Sequence, residues 1–315
     1  CSSDLALGAI GVGNYRGVNG TVTVSGTTGG ITLNGDRYGA YTQTYSGDVV
    51  VASDTFFHTQ HNAITFGGTI NSDGTERAFA TYFANGFGTF SGVIGGTSPL
   101  ASLLVSGAGG CSLVGIGDGD SVGVTGTTRV SGAATLAGGT YKTTGSQTYN
   151  AGVTVSADTT FTTTNADVIF DTTLATDGTE RSVTIAAGTG AATMTGAVGS
   201  GGNILSTLTV TGATITQGST VNTSGNIDYN GALSLGGNVT ASNGTFDVSG
   251  AVTLTADVTV DTSANNKAIG FGGAIDGEQA LVLNAGTGTV TMTGAVGSTT
   301  DLASLTATGG SIVQG

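Results

Sequence analysis

Apolar and polar residues alternate along most of this chain in short runs broken by glycine. In AVTLTADVTVD (251–261), Val252, Leu254, Ala256, Val258 and Val260 share one parity, and Thr253, Thr255, Asp257 and Thr259 share the other. A period of two puts the first set on a buried face and the hydroxyls outside, the pattern of a half-buried strand. The runs are rich in Val and Thr, and both β-branched types fit a pleated surface. An all-β protein of many short strands follows.

The runs also recur. QTYSGDVVVASDTFF (43–57) returns as QTYNAGVTVSADTTF (147–161), 104 residues on, and Asp158 returns as Asp257, 99 residues on. A shorter period is nested inside, since GALSLGGNVTAS (231–242) matches GAVTLTADVTVD (250–261) with an offset of 19. A long period holding a shorter one is the mark of a solenoid rather than of repeated globular domains. The expected fold is a right-handed parallel β-helix with about 19–21 residues per coil, the long unit being close to five coils. At that coil length some 15–16 rungs are expected, each rising about 4.8 Å. The spacing predicts one continuous solenoid over 1–315: an N-terminal segment with a partial repeat at 1–42, then repeats at 43–146 and 147–245, and a truncated one at 246–315.

Composition sharpens this reading. There are 58 glycines and a single proline, and a proline inside a ladder would remove a donor. The net charge is −13, from 20 acids against 7 bases, and the bases are not clustered. No nucleic-acid partner is therefore expected. No apolar run reaches the length of a membrane span. Two cysteines, Cys1 and Cys111, are too few for a disulfide framework. Cys111 is expected to be a small buried apolar residue. Cys1, opening CSSD, stands as a candidate for lipidation or for a disulfide.

Three motifs invite a chemical reading. The first is SDGTER (72–77), repeated as TDGTER (176–181) and reduced to AIDGEQ at 274–279. Asp-Gly between two alternating runs is a turn signal, because glycine accepts positive φ and aspartate bonds its own backbone. Asp73, Glu76 and Arg77 are read as a corner, not a catalytic trio. The second is GIGDGDSV (115–122), where Asp118 and Asp120 form a weak calcium candidate. Neither has the glycine two places before it that a calcium β-roll needs, so only adventitious calcium is expected. The third is His58 with His61, which face opposite sides of an extended strand and so do not converge on a metal. Tyr41, Tyr45, Tyr141 and Tyr149 sit at repeat junctions and are expected to pack at coil edges. No catalytic, cofactor-binding or metal residue is assigned, and the chain is not read as an enzyme.

The repeats QTYNAGVTVSADTTF (147–161), AGTGAATMTGAVGS (187–200) and LASLTATGGSIVQG (302–315) resemble those of filamentous-haemagglutinin-like and autotransporter-passenger surface proteins of bacteria. The resemblance spans roughly residues 20–315. It implies an extracellular protein of the cell surface, acting in adhesion, biofilm or fibre structure. SIVQG (311–315) is in phase with TITQG (214–218), and no helix or proline blunts that coil. An open ladder edge invites pairing. The leading expectation is a homo-polymer built by end-to-end stacking into a surface filament. The alternatives are an adhesin segment that binds glycans or neighbouring cells, and a polysaccharide-active β-helix enzyme.

Overall fold

The computed structural model describes residues 5–11, 17–26, 30–59 and 62–315. It is nearly all β, and its parallel stacked strands form a β-solenoid of about 14 turns. The chain makes two compact units, Cys1–Ala157 and Asp158–Gly315.

In the first unit three strand files run side by side, and each coil contributes one strand to each. The first face takes Ile31–Leu33, Val49–Val51 and Ile70–Ser72, and continues through single bridges at Ile94, Ile116 and Tyr141. The second takes part of Arg37–Tyr45, then Thr55–Thr59, Ala78–Phe83, Ser102–Ser106, Thr128–Val130 and Gln147–Tyr149. The third joins the end of Arg37–Tyr45 to Ile64–Phe66, Gly88–Phe90, Cys111–Leu113, Ala134–Leu136 and Val153–Val155. Every one of these pairings is parallel and in register, which is what stacks like side chains on like. On the third face the inward file runs Tyr45, Phe66, Phe90, Leu113, Leu136, Val155, all at most 1% exposed. Its first three rings stack nearly parallel at 5.1 and 5.4 Å. The outward file of the same strands is Thr44, Thr65, Thr89, Ser112, Thr135, Thr154, a ribbon of half-buried hydroxyls.

The second unit repeats the plan. Thr159, Val183, Leu208, Ile227, Phe246, Ile269, Val290 and Ile312 follow one another in a single file. Val252, Leu254, Val258 and Val260 are buried as the alternation requires. The run is two strands, Val252–Leu254 and Val258–Asp261, with the corner between them at 255–257.

Two details differ from expectation. Coils are not uniform: Ile31 lies against Val49, a short circuit, whereas Ile64 lies against Gly88, a distinctly longer one. Corners absorb insertions while the strands keep register. The coils therefore average longer than the expected period of about 19–21 residues. In consequence about 14 turns form, fewer than that period implied. The long repeat, in turn, is not a whole number of turns. Gln43 lies in the file that reaches Val153 on the third face, yet its sequence equivalent Gln147 pairs with Thr128 on the second. Thr159 and its equivalent Val258 likewise fall in different files, the latter against Leu281. The repeat therefore returns the chain one face short of five turns.

The tyrosines correct a further expectation. Tyr45, Tyr141 and Tyr149 are core residues rather than edge packing, each at most 1% exposed, and of the four only Tyr41 lies outside. A buried phenol needs a partner. The Tyr45 hydroxyl donates to Gln43 Oε1 at 2.9 Å, while Gln43 Nε2 donates to the carbonyls of Tyr38 and His58 at 3.0 Å each. Tyr149 donates to Gln147 at 3.2 Å, and Gln147 Nε2 reaches the Tyr141 carbonyl at 2.9 Å. In the second unit Tyr229 donates to Gln217 at 2.7 Å.

These pairs are polar clamps inside a core whose other buried polar side chains are mostly threonines. Gln147→Ala is expected to leave the Tyr149 hydroxyl and the Tyr141 carbonyl short of a partner and to cost about 1–3 kcal/mol. The outward change Thr154→Val is expected to stay within about 0.5 kcal/mol. Denaturant unfolding of both variants checks the contrast.

Candidate functional site

The acid-rich corners are held by backbone. A side chain just before a strand accepts an N–H from the following coil: Asp54 from Ala78 at 2.9 Å, Asp158 from Ser182 at 2.9 Å, Asp257 from Ala280 at 2.8 Å. Asn238 and Asn266 do the same for Thr259 and Thr287, both at 2.8 Å. A coil that turns a corner leaves amides unpaired by the ladder, and a short acceptor side chain satisfies them. This is where much of the net negative charge resides.

DGTER is one such corner. Asp73 Oδ1 accepts from the Thr75 amide at 3.0 Å, and its carboxylate pairs with Arg77 at 3.2 Å. Gly74 turns the chain with φ +97. Arg77 and the Thr75 amide hold the Asp73 carboxyl below the usual range. Glu76 accepts from the Thr125 hydroxyl at 2.5 Å, two coils away. In the second unit Asp177 pairs with Arg181 at 3.6 Å and Glu180 accepts from Ser224 at 2.5 Å. Where the arginine is lost, Asp276 accepts from the Thr299 and Thr300 amides at 2.8 and 3.2 Å, which hold its carboxyl low.

Asp118 and Asp120 are exposed in a tight turn closed by Asp118 and Ser121 across two backbone bonds. Lys142 Nζ donates to the carbonyls of Gly119 and Asp120 at 3.3 and 2.8 Å, so an ammonium engages oxygens that a calcium ion would require. Among the described residues no three His, Cys, Asp or Glu side chains group to hold a metal. Cys111 is 1% exposed, and burial pushes its thiol up to about 12. Cys1 and His61 lie outside the described residues. His58 faces outward and stacks on Tyr82 at 5.4 Å; burial first, and the Arg37 charge second, lower its pKa. Arg37 sits 5.7 Å over the Phe56 ring. The second face of the first unit thus carries Arg37, Phe56, His58 and Tyr82 close together on its outward side.

A concavity lies on the second unit. Four coils stack Asp228 on Asp247, Asp247 on Gly270 and Gly270 on Thr291. Beside them run Asn230, Ser249, Gly272 and Thr293. At Gly270 and Gly272 the strand bears no side chain, and beside them stands only the methyl of Ala268, so a trough of about 430 Å³ opens between coils with larger side chains. A Cβ on Gly270 would meet Asp247 Oδ1 at 2.4 Å, which places that carboxylate over the floor. Beneath, the rings of Tyr229, Phe246 and Phe271 pack edge to face at 5.9 and 5.6 Å and brace the sheet. Burial, and then the charge of Asp247, push the Asp228 carboxyl up. Sequence reasoning passed over this trough, since its signal is the missing side chains of IGFGG (269–273) in a file otherwise of polar side chains, Asp228, Asp247 and Thr291.

No family model, curated protein or solved structure matches this chain.

Because Asp228 is raised, the folded state favours its protonated form. The stability it contributes is full below the ordinary carboxylate range and is lost as pH rises through it. Asp228→Asn is expected to raise the unfolding midpoint at pH 7, by less than about 1 kcal/mol for so exposed a pair, with no gain near pH 3. Denaturant titrations at the two pH values check this.

Proposed function

We propose that the chain is an extracellular structural protein of a bacterial surface, whose coils stack end to end on coils of the same kind to build a filament. The sequence resemblance to filamentous-haemagglutinin-like and autotransporter-passenger repeats supports the setting, and the β-solenoid fold suits a structural role. The observation that carries the stacking is the register of the ladder: Thr289–Met292 takes Ile269–Phe271 on one side and Ser311–Gln314 on the other, like position on like. A coil meets its two neighbours through the same parallel ladder and the same inward file, so a coil of another copy fits where a coil of the chain itself does. Contacts of unlike surfaces that do not close on themselves extend into fibres. Such a protein works by its length and surface, without catalysis.

A second reading, a segment of an adhesin, is favoured by exposed Tyr82 stacked on His58, with Phe56 and Arg37 on the neighbouring outward positions. Aromatic and Arg side chains are the ordinary anchors of recognition surfaces.

Negative-stain microscopy and light scattering of the purified chain test the stacking. The expectation is polymers whose length grows with concentration and falls on dilution. Monomers of constant mass at high concentration would overturn it. For the adhesin reading, Tyr82→Ala is expected to lower attachment to cells severalfold, and unchanged attachment removes that support.

A further inference from the structure

We propose that the trough over Gly270 and Gly272 binds a neutral polysaccharide, one segment of which lies across the bare coil. Three observations converge on this occupant. The trough is the right size, since its volume of about 430 Å³ falls in the range of about 300–1,000 Å³ typical of small-ligand sites. It is rigid as well, because its floor is sheet backbone fixed by parallel pairings on both sides and braced from below by Phe246 and Phe271. A site that needs no rearrangement loses little on binding. Its chemistry is that of a sugar partner. Asp228 and Asp247 on one wall accept hydrogen bonds only, when ionised, while Asn230, Ser249, Thr291 and Thr293 both donate and accept. Vicinal hydroxyls of a pyranose both donate and accept, so they can address the carboxylates and the hydroxyl wall together.

The charge of the site decides the class of glycan. No Lys, Arg or His lines the trough, and two carboxylates do. Uronates and sulfated sugars would set like charge against like, and are rejected.

The bare floor supplies a test that leaves the fold alone. Gly270 does not sit in the left-handed region, and the nearest atom a Cβ would meet is the movable end of Asp247. Gly270→Thr therefore fills the floor with the side chain that Thr291 carries in the next coil, and asks only the Asp247 carboxylate to swing aside. Calorimetric titration of the full chain with xylohexaose, cellohexaose, maltohexaose and laminarihexaose, and with polygalacturonate, gives the reading. Binding of at least one neutral hexasaccharide is expected, weakened about tenfold or more in Gly270→Thr. Asp247→Asn is expected to weaken it as well, with circular dichroism unchanged in both variants, and Asp247→Asn decides alone if Gly270→Thr fails to fold. No binding by any neutral hexasaccharide, equal binding by Gly270→Thr, or comparable binding of polygalacturonate overturns the proposal. Polymer formation is read separately, so failure here leaves the stacking proposal standing and the reverse also holds.

Discussion

One constraint governs this structure: each strand must lie in register on the strand one coil before it. A parallel ladder satisfies backbone donors and acceptors only when every coil returns to the same place. In-register return stacks ring on ring, as for Tyr45, Phe66 and Phe90, and hydroxyl on hydroxyl, as for Thr44, Thr65 and Thr89. The corners are free to lengthen because they carry no ladder. The short coil from Ile31 to Val49 and the long one from Ile64 to Gly88 therefore coexist in the first unit without a break in the strands.

What the ladder cannot satisfy, short polar side chains do. Asp and Asn at the corners accept the amides that the turns leave over, from the following coil. This ties successive coils together and gives the acidic composition a structural cause. In the core the same logic is met by Gln43, Gln147 and Gln217, whose amides bond a tyrosine hydroxyl on one end and carbonyls on the other. An unpaired polar group there would cost more than the bond returns, so glutamine and tyrosine are placed together.

Much of this was legible in the sequence. The alternation of Val252 to Val260 named the buried parity correctly, and the recurrence of whole segments pointed to a β-solenoid. The rest was hidden for physical reasons. The short self-match at 231–261 samples coils with short corners, and says nothing of coils whose corners are longer. The long offset from Gln43 to Gln147 reads as a multiple of the coil, but sequence similarity follows the order of strands and not the face each occupies. Gln43 and Gln147 are alike in neighbours and unlike in file. Tyr45 and Tyr149 read as edge residues because they fall at repeat junctions, although their shared parity with Gln43 and Gln147 in QTY already placed both side chains on one face. Asp73, Glu76 and Arg77 fall at the corner that Asp-Gly announces. The trough over Gly270 left no motif, because a site made by absent side chains has none.

Register is the central claim, and paired cysteines measure it most directly. In a Cys1→Ser background, Thr65→Cys with Thr89→Cys places two thiols on neighbouring strands in matched positions. Neighbouring strands lie about 4.8 Å apart, inside the span of about 4.4–6.8 Å that a disulfide bridges between Cα atoms. The comparison pair is Thr65→Cys with Asn85→Cys, the spacing that uniform coils of the short sequence period would bring together. Mild oxidation is expected to close the first pair in the folded protein and to leave the second as free thiols. Closure of the 65–85 pair instead, or failure of the 65–89 pair, would contradict the register on which everything else rests.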